Sequence, residues 1–269
     1  MNPAINVAIS AARKAGRIIN IASNDLDTIK IERKGLHDYV SSVDRQAEAE
    51  IISFIQNKYP HHGFLAEESG NIEPQNPQKK THSSGKYQWI IDPLDGTTNF
   101  LHGFPQYAIS IALYLNAKPQ VAVIYDPNRN EVYSAAKGGG AYKDNRRIRV
   151  SNNSLSQGLI GTGFPFKNLE VIDIYLKQME LIMRNSSGLR RPGSAALDLA
   201  FIATGRLDGF WEYNLSPWDF AAGILLIKEA GGQVTDINGN SATLKSNSLL
   251  CGNFKIHEQM LKLFNTASK

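Results

Sequence analysis

Residues 89–100, WIIDPLDGTTNF, run an apolar, strand-like stretch straight into two carboxylates, a proline, a glycine and two hydroxyls. Any fold built around this segment must bury its first residues and still give the acids partners, because an unpaired buried carboxylate is costly. Asp92-Pro93 alone is an ordinary turn opening, with the acid capping and the proline presetting φ. The chain carries its own control in VAVIYDPNRN, which ends a strand in Asp126-Pro127 with no second acid and no Gly-Thr-Thr behind it. The first segment differs because Asp95-Gly96-Thr97-Thr98 adds a second acid, then a glycine and hydroxyls suited to a helix start whose N–H groups can receive phosphate.

Acids stand at three further strand ends or helix starts: Glu67 and Glu68 in LAEESG, Asp44 in VSSVD, and Asp219 in SPWDFAAG. Asp219 and the two glutamates have plain structural readings. Ser216-Pro217-Trp218-Asp219 is a good helix opening, with Ser as N-cap, Pro at N1 and an acid at N3. Glu67 and Glu68 follow the apolar GFLA as a solvated strand end would. Should these acids converge, two carboxylates about 4 Å apart repel by roughly 4 kcal/mol at an effective dielectric near 20. A cation removes that cost. With oxygen donors and no Cys or His in these segments, a hard ion fits, and Mg²⁺ is the natural choice beside phosphate.

The rest of the chain frames these acids. With 269 residues, 42% of them hydrophobic, it can bury a large core. No apolar run reaches membrane-spanning length, and the start, with Arg13, Lys14 and Arg17, is not a signal core, so a soluble protein is expected. The single cysteine, Cys251, lies in the apolar run LLCGNF and reads as a buried thiol of a reducing, cytoplasmic compartment. A net charge of +4 is too small to mark a dedicated nucleic-acid binder; the basic clusters are 143–150 and Arg190-Arg191.

Periodicity predicts an amphipathic helix over 4–21 and a second after Asp44, with a loop or short strands carrying Lys34 and Asp38 between them. Residues 70–86, rich in Pro, Asn, Ser and Lys, read as a mobile surface excursion. YQWIID, YAISIALYL, PQVAVIYD, EVYSAA and RIRV then predict one largely antiparallel sheet. Beyond residue 152 the rhythm alternates: strand GLIGTG, helices 171–185 and SAALDLAFIAT, strand DGFWEY, helix PWDFAAGILLIKEA, strands QVTD and SLLCG, and a last helix. The expectation is one domain over 1–269, with an N-terminal half 1–150 and a C-terminal half 151–269.

LAEESG, WIIDPLDGTTNF, GSAALDLA with ATGRLDGFWE, and PWDFAAGILLIKEAGG together resemble the inositol monophosphatase family, and the similarity covers essentially the whole chain. The resemblance implies an α/β fold, the layered α/β/α/β/α sandwich of the inositol monophosphatase and fructose-1,6-bisphosphatase type. It also implies Mg²⁺-dependent hydrolysis of myo-inositol 1-phosphate by in-line attack of a metal-activated water. Carried residue by residue, Glu67, Asp92 and the Leu94 carbonyl would bind one Mg²⁺, and Asp92, Asp95 and Asp219 a second. A weaker third ion would share Glu67. Thr97 and Asp44 would orient the attacking water, the N–H groups of Gly96 and Thr97 would hold phosphate, and Glu212 with Gly193, Ser194 and Ala195 would line the sugar pocket beside Asp219. Arg190 or Arg191 would face the substrate or a neighbouring subunit, and Lys34 matches a loop lysine near the metals. The family further implies a homodimer and sensitivity to Li⁺. Bacterial relatives also act in ribosomal RNA transcription with RNA polymerase and antitermination factors.

The nearest rival chemistry is the haloacid dehalogenase pattern D-x-D-G-T, whose first Asp is a covalent nucleophile. Here the two acids stand three apart and no Rossmann-like start precedes them. Fructose-1,6-bisphosphate and 3′-phosphoadenosine 5′-phosphate are alternative substrates within the resembling superfamily.

Overall fold

The structure is a computed structural model that describes residues 2–35, 38–75, 85–166 and 168–267, with side chains of 33–39 left undescribed. Helix α1 (Pro3–Ala22) starts at Asn2, whose side-chain oxygen accepts from the Ala4 N–H at 3.0 Å. Pro3 fills the first turn, where its missing donor costs nothing. A short antiparallel pair, β1 (Ile31–Gly35) and β2 (Asp38–Ser41), leads into α2 (Ser42–Lys58). Ser41 caps α2, and Asp44 at N3 reaches back to the Ser41 N–H at 2.9 Å, a complete capping box. The expected Lys34 side chain, that of Asp38, and residues 76–84 of the polar excursion lie outside the described residues.

The next strands are β3 (Gly63–Ala66), β4 (Gly70–Ile72) and β5 (Tyr87–Asp95), followed by the short helix α3 (Thr97–Leu101). Then come β6 (Ala108–Leu115), β7 (Lys118–Asp126), β8 (Glu131–Ala136), β9 (Gly140–Lys143) and β10 (Arg146–Arg147). They form one sheet in the order β10-β9-β8-β7-β6-β5-β3-β4, antiparallel throughout except where β3 runs parallel to β5. Two details differ from the sequence reading. The strand expected over RIRV stops at Arg147, because after the Ile148 N–H reaches the Ala141 carbonyl the chain leaves the sheet and the Val150 N–H bonds Ala230. The polar excursion begins inside the sheet, with β4 on its edge.

The second half contributes β11 (Leu159–Thr162), α4 (Ile172–Asn185), β12 (Gly188–Arg190), α5 (Ala195–Ala203), β13 (Gly209–Tyr213), α6 (Pro217–Glu229), β14 (Gln233–Thr235), β15 (Ser248–Gly252) and α7 (Phe254–Ala267). The five strands order as β12-β11-β13-β15-β14, with β11 parallel to both neighbours.

Strand β6 shows why the layers stack. Ile109, Ile111 and Leu113 pack towards α1 and α2, while Ala108, Ala112 and Tyr114 pack towards α5 and α6. A period of two with both faces covered reads in sequence as the unbroken apolar run AISIALYL. Helices α5 and α6 are apolar nearly all round because a sheet lies on each side of them. Helices α4 and α7 cover the outer face of the five-stranded sheet, over a core of Tyr175, Trp211, Met260 and Phe264. The result is the five-layer α/β/α/β/α sandwich. Cys251 is fully buried in β15.

Candidate active site

Strands β3, β5, β11 and β13 end around one cavity of about 440 Å³. It is lined by Glu67, Asp92, Leu94, Asp95, Gly96, Thr97, Arg191, Gly193, Ser194, Ala195, Glu212 and Asp219, whereas Asp44, Glu68 and Arg190 do not line it. Strand carboxyl ends are where open α/β sheets place ligands.

The knot in WIIDPLDGTTNF is explained by a bulge. Asp92 pairs with Ser110 and Asp95 with Ala108, so the β5 side carries one extra residue, and Pro93, which has no N–H to give the ladder, falls inside it. The bulge turns Asp92, Leu94 and Asp95 into the cavity. Asp92 Oδ1 accepts from the Leu94 N–H at 3.0 Å. Gly96 follows at φ 100°, a conformation only glycine holds cheaply, and an added Cβ there would lie 2.9 Å from the Gln106 carbonyl.

Glu67 is presented by a partner that the sequence reading missed. Glu48, buried in α2, accepts from the Glu68 N–H at 2.8 Å and from the Ser69 hydroxyl, pinning the turn after β3. Asn99 was also missed, although it lies within the quoted motif: its amide donates to the carbonyls of Gln106 and Pro192 at 2.7 and 2.9 Å, fastening α3 to the loop before α5. Thr97 Oγ1 lies 2.9 Å from Asp44 Oδ1 and 3.1 Å from the Leu94 carbonyl, so Asp44 joins the cavity wall through Thr97. Asp219 accepts from the Ser216 N–H at 2.7 Å. Asp219 closes the capping box expected at the start of α6, and Asp44 closes one at the start of α2.

Electrostatics single out the same acids. Burial, then the charges of Glu67, Asp95 and Asp219, push the Asp92 carboxyl well above the usual carboxylate range. Asp219 is raised in the same way, first by loss of water and then by Asp95. Burial raises Asp44 as well, against the pull of its Ser41 and Thr97 hydrogen bonds. Four carboxylates that destabilise one another's charge match the chemistry of a hard dication. Among the described residues no three such side chains are already closed into a metal cage; the acids share a cavity and a field. Asp198 was not anticipated either: it is buried in the cavity wall, its Oδ1 has no hydrogen-bond partner, and burial followed by the Glu212 charge raises it strongly.

The five-layer sandwich with an acid-lined cavity at its strand ends is a fold this chain shares with a known family. Residues 1–269 match the inositol monophosphatase family, and the chain belongs to it. Its relatives include the Nus factor SuhB of Pseudomonas aeruginosa, 43% identical over 97% of this chain and 95% of that protein. The inositol-1-monophosphatase of Mesorhizobium japonicum is 44% identical over 96% and 94% of the two chains. Among solved structures, the extragenic suppressor protein suhB from Bartonella henselae superposes with a TM-score of 0.91 at 42% identity, covering 97% of this chain and 98% of that one. Among the described residues no helix is long and apolar enough to cross a membrane.

Proposed function

We propose that this chain hydrolyses myo-inositol 1-phosphate to myo-inositol and phosphate in a Mg²⁺-dependent reaction, as a cytoplasmic enzyme inhibited by Li⁺. The observation that carries the reading is the Thr97–Asp44 hydrogen bond set in the wall of a cavity lined by Glu67, Asp92, Asp95 and Asp219. Glu67, Asp92 and the Leu94 carbonyl would hold one ion, Asp92, Asp95 and Asp219 a second, and Glu67 could serve a third. When bound, Mg²⁺ supplies the positive charge that in-line phosphoryl transfer needs on its equatorial and leaving oxygens.

The chain's own groups do the rest. The Gly96 and Thr97 N–H groups bind the phosphate oxygens. Thr97 Oγ1 accepts a proton from the attacking water while its own proton passes to Asp44 Oδ1, a carboxylate whose raised proton affinity suits a base. Glu67 helps orient that water. Glu212, Gly193, Ser194, Ala195 and Asp219 face the alcohol half, and Arg191 stands at the rim. Turnover of myo-inositol 1-phosphate, fructose-1,6-bisphosphate and 3′-phosphoadenosine 5′-phosphate at equal concentration, with and without Mg²⁺, tests this. A preference for either of the other two esters would move the assignment within the superfamily, and a phosphoaspartate trapped on Asp92 would replace it.

The Nus-factor name of a relative favours a second reading beside the first, in which the chain also joins RNA polymerase or antitermination factors. Exposed Arg146 and Arg149 offer a basic surface, whereas Lys143 is engaged by Glu131 at 2.6 Å. An Asp92→Asn variant should lose hydrolysis and keep such binding; loss of both with the fold intact argues against separate roles. The exposed apolar residues Phe166, Leu169, Leu176 and Met183 support a homodimer, which sedimentation equilibrium tests.

A further inference from the structure

Arg191 follows the edge strand β12, and its guanidinium carbon lies 5.3 Å from the centre of the Phe164 ring and 5.2 Å from that of Phe166. The two rings meet edge to face, 5.6 Å apart at 86°. Phe164 in turn meets Tyr175 edge-on at 6.1 Å, and Tyr175 stacks on Trp211 at 5.7 Å. Tyr175 and Trp211 are fully buried, so the corner that receives the guanidinium is anchored in the core beneath α4 and α7. Arg191 also packs against Gly193, where an added Cβ would lie 2.9 Å from Nη1.

A guanidinium held through its face by aromatic rings keeps its N–H edge for a ligand. The contacts of Arg191 among the described residues are with these two rings and with Gly193. Arg191 is also the one permanent cation among the described residues of a cavity wall that holds six carboxylic acids. Its neighbours are Gly193 and the wall after β11, where Glu212 folds over Gly163. Asp92, Asp95 and Gly96 stand on the β5–α3 wall and Asp219 at the start of α6. Gly193 and Glu212, the residues assigned above to the alcohol half, are thus the guanidinium's neighbours, with Asn99 of α3 on the other side of Gly193. A fork of donors beside the Glu212 acceptor suits adjacent hydroxyls, which accept from one and donate to the other.

We propose that Phe164 and Phe166 are positioning residues that hold the Arg191 N–H edge against the hydroxyl oxygens of the substrate's alcohol half, making the three a specificity determinant for phosphate esters of polyols. The proposal rests on the phosphatase reading above. Its test compares the Phe164→Leu/Phe166→Leu variant, which keeps apolar bulk without ring faces, with Phe164→Tyr/Phe166→Tyr, which keeps the faces. The readouts are kcat and KM for myo-inositol 1-phosphate and the inhibition constant of inorganic phosphate, which has no alcohol half. In the Leu variant KM should rise about threefold to tenfold, with kcat and phosphate inhibition changed by less than about twofold, and the Tyr variant should stay close to wild type. Should the Leu variant not fold, Arg191→Lys, which keeps charge but loses the fork, carries the same expectation. An unchanged KM, an equal shift in phosphate inhibition, or a Tyr variant as impaired as the Leu variant overturns the proposal. Wild-type protein that turns over no phosphate monoester in Mg²⁺ fails the phosphatase reading at once, and the proposal falls with it.

Discussion

Ser194 donates its hydroxyl to Asp95 Oδ2 at 2.6 Å, and the Ala196 N–H reaches the same oxygen at 2.7 Å. One carboxylate at the end of β5 is thereby oriented by the start of α5, in the other half of the chain. Supporting hydrogen bonds of this kind typically carry about 10- to 100-fold in metal affinity or activity. Ser194→Ala should therefore raise the Mg²⁺ concentration at half-maximal rate by at least about tenfold. Because Ser194 also caps α5, a stability loss of about 1 kcal/mol should accompany it in denaturant titration.

Thr97 has one hydroxyl proton, and its nearer acceptor is Asp44 Oδ1. Thr97→Val keeps the shape and removes the relay. Its kcat should fall by about 10²-fold or more while inorganic phosphate still inhibits, since the backbone N–H groups remain. A kcat within a few-fold of wild type would remove Thr97 from the chemistry.

Gly163 lies opposite Glu212, and a Cβ there would fall 1.9 Å from the Glu212 carboxyl carbon. The obstacle is the far end of a flexible side chain, so Gly163→Ala should fold and swing Glu212 aside. The expected signature is a raised KM for inositol phosphate with unchanged phosphate inhibition and a melting temperature close to wild type.

His62 predicts a pH dependence of stability that is separate from the site. Its ring stacks between Tyr59 at 4.7 Å and Tyr87 at 4.5 Å, and Nδ1 accepts from Trp89 Nε1 at 3.0 Å. Burial, then the His61 charge, lowers its pKa from 6.5 to about 4. The fold holds His62 neutral, whereas the unfolded chain protonates it below about 6.5, so stability drops as pH falls from 6.5 towards 4. His62→Gln should melt lower at pH 7 and lose less melting temperature between pH 7 and pH 5 than wild type does; equal losses would show that His62 is not the group responsible.

The helices and most strands were legible because their periods are clean: α1 and the alternating faces of β6 and β7 need only the identity of each residue. Strands β9 and β12 were missed because four and three residues are too few to show alternation. The parallel pairing of β3 with β5 was hidden because the polar excursion separates the two in sequence. Within the site, Asp92 and Asp95 declared themselves through contiguous spacing and a control elsewhere in the chain. Asp44 and Asp219 look like helix caps locally, and they are caps; only a family resemblance or a structure brings them to the cavity. Glu48, Gly163 and the Phe164–Arg191–Phe166 corner carry no local signature, since each acts on a residue from a distant segment.

The most direct measurement is calorimetric titration of Mg²⁺ in the presence of phosphate into wild type, Asp92→Asn and Asp219→Asn, paired with hydrolysis of myo-inositol 1-phosphate. Wild type should bind the ion and hydrolyse the ester, while each single substitution, one from either half of the chain, should abolish both with the fold intact. Undiminished hydrolysis by wild type in excess EDTA, or an Asp219→Asn variant that binds Mg²⁺ and turns over normally, would contradict a shared metal centre.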